Sequence, residues 1–390
     1  MNNSLIYTIK QLQEKTRELS ESKENERRSS YWIDDVSNDG YMCHLIPKEK
    51  GNVPFTVNVE KVGYNKIWNN FLLTQFYQDP ICFVEYSLKI AIHKFETFND
   101  CTPIGKLITY WPGVGFEKSL FGCAQIYSEE DTWIGREDVI KERVAIKSLK
   151  YLNFKEMPLM KSTIEFFEKM VNVLDDDFSV QFPQWCRSPW GVAWHLRGIN
   201  NLLIDIIEDE EWVKGFLNYL LDLRKSYATF RANYLNIDLV PANLFNDEVT
   251  SPIISPKIYK DMVWPTEVEI SKFFGGMNYW HRCGNTTPYL EYVNEIPDLR
   301  MVNISPWTNT EKASEIFDVD KAIEFTLHPY KDVIRPENEK YVRNHLREIR
   351  EANINRKVTV RADALEIVGN VSDDIKTIQK WVKYANEVLL

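Results

Sequence analysis

The sequence predicts an α/β protein of the TIM-barrel class, a (β/α)8 barrel preceded by an N-terminal helical extension. Short apolar segments alternate with longer amphipathic segments through the second half of the 390-residue chain, which is typical of parallel strands joined by right-handed crossovers. Polar residues capable of chemistry follow several of the apolar segments, as they do where barrel strands end at a common face. No Gly-x-Gly-x-x-Gly turn follows an early strand in the sequence, which argues against an open dinucleotide-binding sheet.

The first 50 residues are expected to form a helical arm and lead-in, and residues 51–390 the barrel. Residues 4–29 place apolar side chains at helical spacing among charges, and this segment ends in the charged run 21–28. Because a charged run cannot be buried without partners, we expect the arm to lie outside the barrel.

The remaining elements are assigned from apolar periodicity and from turn residues. Apolar runs bounded by turn residues predict strands, and apolar positions at helical spacing predict helices. The predicted strands are residues 55–59, 236–245, 277–281, 300–304, 322–328 and 357–361. The predicted helices are residues 65–76, 80–97, 210–234, a segment opening at Ser255 and Pro256, then 287–296, 337–352 and 372–389. Pro256 suits the first turn of its helix because its φ is already helical.

Charge and composition argue against several classes of function. The chain has 47 Lys and Arg against 57 Asp and Glu, a net charge of −10, so it would on average repel a phosphate backbone and no nucleic-acid partner is expected. The sequence starts without a basic, apolar leader, and no stretch approaches the roughly 20 apolar residues that span a bilayer. We therefore expect a cytoplasmic protein without membrane contact, and a homodimer is compatible with these features. The six cysteines have no paired spacing, which predicts reduced thiols.

The strongest chemical signal is the pair His281 and Cys283 at the end of a predicted strand. An imidazole and a thiolate on one edge of a barrel mouth both suit Zn²⁺, and we expect them to face a common cavity. The alternative is that His281 is a hydrogen-bonded barrel residue and Cys283 an inert packed thiol.

A catalytic zinc site needs about three protein ligands, so another donor has to come from elsewhere in the chain. Asp247, Glu248 and His328 are the candidates, because each lies near the end of a predicted strand. Asp247 and Glu248 are also candidate catalytic residues. The alternative for His328 is a strand-end residue that only caps the backbone.

Aromatic and arginine side chains are candidates for substrate binding. The chain has 12 tryptophans, enough for some rings to line a pocket as well as the core. Trp190 could form an aromatic wall with Arg197 as an anion-binding group, although a packed loop is the alternative. The candidates near the predicted mouth are Trp190, Arg197, Trp280, Trp307 and Arg361.

The chain resembles the superfamily that contains uroporphyrinogen decarboxylase and the zinc-dependent, corrinoid-linked methyltransferases. Four elements occur in the order found in that superfamily: an acidic pair at residues 247–248, an Ile-Ser-Pro helix start at 254–256, Pro265 within the following helix, and a His-x-Cys-Gly turn at 281–284. With weaker matches upstream, the resemblance covers roughly residues 50–390. It implies a (β/α)8 barrel.

In the methyltransferase branch, the resemblance implies that His281 and Cys283 bind zinc together with a cysteine on the last strand. The predicted last strand, residues 357–361, has no cysteine, so the third donor would be Asp247, Glu248 or His328. The resemblance implies O-demethylase chemistry, in which a methyl group passes from a small methoxylated substrate to a corrinoid (cobalamin-type) cofactor on a partner protein.

Two alternatives remain open. A metal-free carboxy-lyase of the decarboxylase type would use Arg187, Arg197 or Arg361 to hold carboxylates and Asp247 to stabilise a cationic pyrrole. The decarboxylase branch also has an Arg-rich N-terminal clamp, for which the chain offers only Arg27 and Arg28. The other alternative is a catalytically silent barrel that binds a corrinoid or a partner protein.

Overall fold

A computed structural model describes residues 3–33, 45–130, 132–135 and 138–390. The strands are β1 (Phe55–Val59), β2 (Leu107–Thr109), β3 (Gln125–Tyr127), β4 (Thr132–Ile134), β5 (Ser179–Gln181), β6 (Ala242–Phe245), β7 (Met277–His281), β8 (Leu299–Ile304), β9 (Ala322–Thr326) and β10 (Val358–Leu365).

The α-helices are α1 (Asn3–Ser20), α2 (Lys23–Ser29), α3 (Lys61–Ile67), α4 (Leu73–Gln78), α5 (Pro80–Phe98), α6 (Phe116–Ser119), α7 (Pro158–Val171), α8 (Pro189–Arg197), α9 (Ile199–Glu208), α10 (Glu210–Leu235), α11 (Pro256–Ile258), α12 (Trp264–Phe274), α13 (Leu290–Asn294), α14 (Thr310–Ile316), α15 (Glu339–Ala352) and α16 (Val371–Leu389). Short 3-10 turns occupy Ile146–Ser148 and Thr287–Tyr289, and π-helical turns occupy Tyr259–Val263 and Pro329–Ile334.

A curled sheet of six parallel strands forms the centre of the described structure. The strand order is β1-β10-β9-β8-β7-β6, and each neighbouring pair is parallel. Helices separate the consecutive strands from β6 to β10, which is the βαβ arrangement predicted from the sequence. The chain is therefore an α/β protein, and the carboxyl ends of these six strands lie at one edge of the sheet.

The full eight-stranded closure predicted from the sequence is not formed by one continuous hydrogen-bonded sheet among the described residues. Strands β2 and β5 form a separate parallel pair, and β3 and β4 form an antiparallel pair. An isolated parallel bridge between Arg187 and Phe245 links the segment after β5 to β6. At the other side, the Cys101 N–H donates to the Phe55 carbonyl at 3.0 Å.

Several predicted elements differ from the observed ones for local reasons. The strand predicted at residues 236–245 begins only at Ala242, because Asn236 takes a left-handed conformation that ends α10 and the next residues are exposed. The helix predicted at residues 287–296 contains only a 3-10 turn and the short α13.

The N-terminal arm consists of α1 and α2, and α1 packs against α5. Its charged run is not wholly exposed, because Arg28 is buried. The guanidinium of Arg28 donates to the carbonyls of Phe95 (3.1 Å) and Thr102 (3.3 Å) and lies 4.0 Å from the Phe95 ring centroid. Arg28 therefore anchors the arm, and the domain boundary near residue 50 stays a prediction.

The described cysteines are free thiols, as the absence of paired spacing predicted: Cys82, Cys101, Cys123, Cys186 and Cys283. Cys43 lies outside the described residues. Within the described ranges, every helix is too short or too polar to cross a membrane.

Candidate functional site

Three donors of different chemistry meet where β6 and β7 end. Phe245 and His281 are paired in register as the last residues of the two strands, so Asp247 and Cys283, each two residues further on, are also neighbours. The Cys283 thiol donates to Asp247 Oδ1 at 3.1 Å, and His281 Nε2 lies 3.3 Å from Cys283 Sγ and 3.4 Å from Asp247 Oδ1. Two sequence-predicted ligands and one predicted catalytic carboxylate are thus brought together.

The separations between these donors suit a small tetrahedral cation. Zinc bonds of about 2.0–2.3 Å at tetrahedral angles place neighbouring ligand atoms roughly 3.3–3.8 Å apart. The observed distances of 3.1, 3.3 and 3.4 Å lie at or just below that range. Among the described residues, Asp247, His281 and Cys283 are the group whose ligand atoms all lie within 4.8 Å of one another. The residues present therefore fit zinc with three protein ligands.

The electrostatic environment of the three donors distinguishes the carboxylate from the thiol. Desolvation opposes ionisation of Asp247, but the hydrogen bond and charge of His281, with the charge of Arg187, outweigh it and lower the pKa of Asp247. Desolvation and then the Asp247 carboxylate raise the pKa of the Cys283 thiol. Asp247 is therefore ionised at neutral pH, whereas the Cys283 thiol keeps its proton.

The imidazole of His281 packs against two rings, which also contact each other with their centroids 5.8 Å apart. The Phe245 ring centroid lies 5.0 Å away, and the Tyr279 ring centroid lies 5.9 Å away with the two planes only 20° apart. The Tyr279 hydroxyl lies 3.4 Å from His281 Nδ1 and donates to Glu324 Oε1. Burial and then the Glu324 carboxylate raise the pKa of Tyr279 well above its ordinary value, so the phenol keeps its proton.

Glu248, the other predicted carboxylate ligand, faces away from this group of donors. Its Oε1 accepts from Arg187 and lies 2.6 Å from His195 Nε2, while its Oε2 is buried without a hydrogen-bond partner. A side chain on Gly191 would meet Glu248 Oε2 at 2.5 Å, so the absence of a Cβ there makes room for the carboxylate. Glu248 therefore packs against α8.

His328 and Trp307 lie together in a different cleft. Their rings are 5.9 Å apart, and both line an open cleft of about 710 Å³ that is also bordered by Tyr341 and His345 of α15. His328 precedes a π-helical turn, and its Nδ1 accepts from the Lys331 N–H at 3.3 Å. The structure thus gives His328 a backbone-capping contact and leaves it outside the group of three donors.

Trp190 and Arg197 belong to the packing of α8. Trp190 is fully buried in the main hydrophobic core. The Arg197 guanidinium is buried too, and it donates to Asp205 Oδ2 at 2.7 Å and to the Ile140 carbonyl at 3.1 Å. The expected aromatic wall with an anion-binding arginine is therefore not assembled, because Asp205 already pairs with Arg197.

Trp280 and Arg361 occupy opposite faces of the sheet. Trp280 alternates with His281 along β7, so its fully buried indole points to α12 and donates to Glu267 Oε2 at 3.1 Å. Arg361 is buried on the same face as Tyr279, where it pairs with Asp363 (3.1 Å) and lies 3.6 Å from Glu324.

A small cavity of about 90 Å³ adjoins Asp247. Sequence reasoning did not identify most of its lining, although the Trp-Pro-Gly turn at 111–113 is a visible signal of an ordered loop. The side chains that give the cavity its mixed polar and aromatic character are Thr109, Trp111, Gln181, Asn243, Phe245 and Arg187. Beside these groups, the carboxylate residues Glu117 and Asp247 also line the cavity.

Comparison with known proteins gives a fold and no family. No family model matches the sequence, and no match was found among curated proteins. The structure is similar to that of a methyltransferase from Methanosarcina mazei, with a TM-score of 0.59 and 12% sequence identity, covering 86% of this chain and 94% of that chain. At this identity, the likeness shows a shared fold.

Proposed function

We propose that this protein is a corrinoid-linked methyltransferase that takes a methyl group from a small methoxylated substrate. Asp247, His281 and Cys283 would hold zinc, and a partner protein would carry the corrinoid acceptor. The observation that carries the proposal is the convergence of a carboxylate, an imidazole and a thiol within 3.1–3.4 Å of one another at the strand ends. The reaction would take place in the cytoplasm.

Both the fold and the sequence resemblance support this assignment. The similar solved structure is a methyltransferase, and its likeness extends over 86% of this chain. We further propose that β1, β2 and β5–β10 are the eight strands of a (β/α)8 barrel of the uroporphyrinogen decarboxylase-like superfamily. The bridge from Arg187 to Phe245 and the bond from Cys101 to Phe55 are the contacts expected at the two breaks in the sheet.

The residues of the chain would divide the work between cation binding and substrate binding. Asp247 provides a fixed negative charge, His281 packs against the Phe245 and Tyr279 rings, and Cys283 is an exposed residue whose thiol lies against the other two donors. When bound, zinc would act as a Lewis acid toward the methoxyl oxygen as the methyl group leaves. A hard oxygen ligand such as Asp247 in place of a second sulfur suits that role.

The neighbouring cavity fits a small neutral methyl donor. The Arg187 guanidinium that reaches the cavity is paired with Glu248, so the cavity presents no uncompensated positive charge there. Amide and hydroxyl groups of Gln181, Asn243 and Thr109 can orient polar substituents, and Phe245 supplies an apolar surface. These groups would hold the methyl carbon toward the mouth, where a partner protein can reach it.

The decarboxylase alternative receives less support from the same contacts. It requires arginines that are available to hold substrate carboxylates, whereas Arg197 pairs with Asp205 and Arg361 with Asp363. Arg187 pairs with Glu248. Each candidate arginine is thus already matched by a carboxylate of the protein.

The proposal is tested by measuring methyl transfer from methoxylated aromatic compounds to reduced cobalamin with the zinc-loaded protein. We expect transfer by the unaltered chain and by His328→Ala, and a loss of at least about 100-fold in Asp247→Ala, because a proposed zinc ligand is removed. Equal rates in Asp247→Ala and the unaltered chain, or release of CO2 from porphyrinogens without methyl transfer, would contradict the proposal.

A further inference from the structure

We infer that Tyr279 and Glu324 are positioning residues for His281, acting through the imidazole nitrogen that faces away from Asp247 and Cys283. On the basis of the proposed metal site, this buried pair fixes both the tautomer and the ring orientation of the histidine ligand. None of the sequence motifs pointed to either residue. Their role follows from hydrogen bonds that reach across the sheet from β7 to β9.

Tyr279 lies beside His281, next to the ring nitrogen Nδ1. It precedes His281 by two residues on β7, so the two side chains share one face of the sheet. The rings are nearly parallel, and the Tyr279 oxygen lies 3.4 Å from His281 Nδ1. His281 Nε2, on the other side of the same ring, faces Cys283 Sγ at 3.3 Å.

The direction of the Tyr279 hydrogen bond determines which nitrogen of His281 carries a proton. A phenol has a single proton, and that of Tyr279 is donated to Glu324 Oε1. The Tyr279 oxygen can then only accept a hydrogen bond from His281, so one ring proton is placed on Nδ1. With zinc bound, Nε2 would direct its lone pair to the ion, which would replace the proton through which His281 interacts with Asp247 in the metal-free chain.

Glu324 is itself held in place by neighbouring polar side chains. Its carboxylate is buried, and Oε1 accepts from the Asn303 amide at 2.9 Å and lies 3.6 Å from the Arg361 guanidinium. Oε1 thus accepts from both Tyr279 and Asn303, and Arg361 Nη1 also reaches the Tyr279 oxygen at 3.5 Å. Arg361 would therefore support the proposed metal site indirectly, through Glu324 and Tyr279, and would not contact the substrate.

The test is the zinc affinity of the purified protein, measured by competition with a chromogenic chelator. Tyr279→Phe removes only the hydroxyl, and we expect it to weaken zinc binding about 10- to 100-fold, the usual effect of losing an outer partner of a metal-bound histidine. Glu324→Gln should also weaken binding, because its amide can donate to the Tyr279 oxygen and turn the phenol proton toward Nδ1.

A matched control is Tyr259→Phe. Tyr259 is also fully buried and donates to a buried carboxylate, Glu267, at 2.6 Å, but it contacts none of the three proposed ligands. We expect the control to bind zinc as tightly as the unaltered chain. Thermal unfolding of each metal-free variant shows whether it has folded, and the Co²⁺ absorption bands report the ligand geometry directly.

The outcomes separate this inference from the function on which it rests. If the unaltered chain binds zinc and Tyr279→Phe binds it equally tightly with unchanged Co²⁺ bands, the positioning role is wrong and the metal site stands. If Tyr259→Phe weakens binding as much as Tyr279→Phe does, the effect is a general loosening of the fold and the role is again wrong. If the unaltered chain binds no zinc, the proposed metal site itself is wrong.

Discussion

Two adjacent carboxylates at the end of β6 have different surroundings. Asp247 faces His281 and Cys283, whereas Glu248 lies against α8 with Arg187 and His195. The two residues lie in a turn that the Val249 N–H closes on the Asn246 carbonyl (3.0 Å), so their side chains leave the chain in different directions. We assign Asp247 to the proposed metal site and give Glu248 a structural role that also neutralises Arg187.

At the residue scale, the two carboxylates should therefore respond differently to replacement. Glu248→Ala is expected to lower the free energy of unfolding by about 3 kcal/mol, because it removes one partner of a largely buried ion pair. It should leave the zinc content unchanged. Urea denaturation and metal analysis would measure both effects. Loss of zinc with native stability in Glu248→Ala would show that Glu248, and not Asp247, is the ligand.

At the scale of elements, the last helix is held to the sheet through its first turn. Asp374 in α16 is buried, and its Oδ2 accepts from the backbone N–H groups of Val368 (2.8 Å) and Gly369 (2.7 Å). Arg335 donates to its Oδ1 at 3.0 Å. These bonds connect the loop after β10 with α16 at the same edge of the sheet as the site.

This contact predicts a pH-dependent contribution to stability. Burial opposes ionisation of Asp374, but the Gly369 N–H and Arg335 outweigh it, so the pKa of Asp374 lies below its ordinary value of 3.8. A lowered pKa in the folded state means stabilisation that is fully present above 3.8 and lost as the pH falls through the folded-state value. Asp374→Asn should cost about 2 kcal/mol at pH 7 in urea unfolding, and progressively less in acid. If Asp374→Asn lowered the free energy of unfolding equally at pH 7 and in acid, this assignment would be contradicted.

At the scale of the whole molecule, Arg224 of α10 joins the two parts of the proposed barrel. Its buried guanidinium donates to the carbonyls of Cys186 (3.1 Å) and Arg187 (2.9 Å), which follow β5, and to that of Asn243 (2.9 Å) in β6. These bonds cross the break between the segment after β5 and the six-stranded sheet. A single side chain thus satisfies backbone groups on both sides of the break.

Arg224→Met keeps the side-chain length but leaves three carbonyls without this donor. The Cys186 carbonyl still accepts from the Phe245 N–H (2.9 Å) and the Arg187 carbonyl from Trp185 Nε1 (3.1 Å). The cost is therefore mainly that of three lost hydrogen bonds at about 1 kcal/mol each, and we expect a loss of about 3 kcal/mol in the free energy of unfolding. Lys225→Met, the next residue on the same helix, is the control and should change stability by less than about 0.5 kcal/mol. Similar effects of the two substitutions in urea denaturation would argue against the role of Arg224.

The sequence predicted the parallel strands from β7 to β10 better than it predicted the first half of the chain. Those strands alternate with the helices α12 to α16, whereas β2 and β5 have only three residues each and show no periodicity. His281 and Cys283 could be placed because His281 ends a strand and Cys283 comes two residues after it. The sequence could not decide which of Asp247, Glu248 and His328 is the third donor. That choice depends on the direction of the side chains after β6 and on the turn that follows His328.

The most direct test of the central claim is the metal content of the purified chain after zinc reconstitution and dialysis. The account predicts about one zinc per chain for the unaltered protein and for Cys123→Ala, whose cysteine lies outside the group of three donors. It predicts little or no zinc in His281→Ala and Cys283→Ala, because two protein donors hold the ion too weakly. Full zinc occupancy in both of these variants, or none in the unaltered protein, would contradict the account.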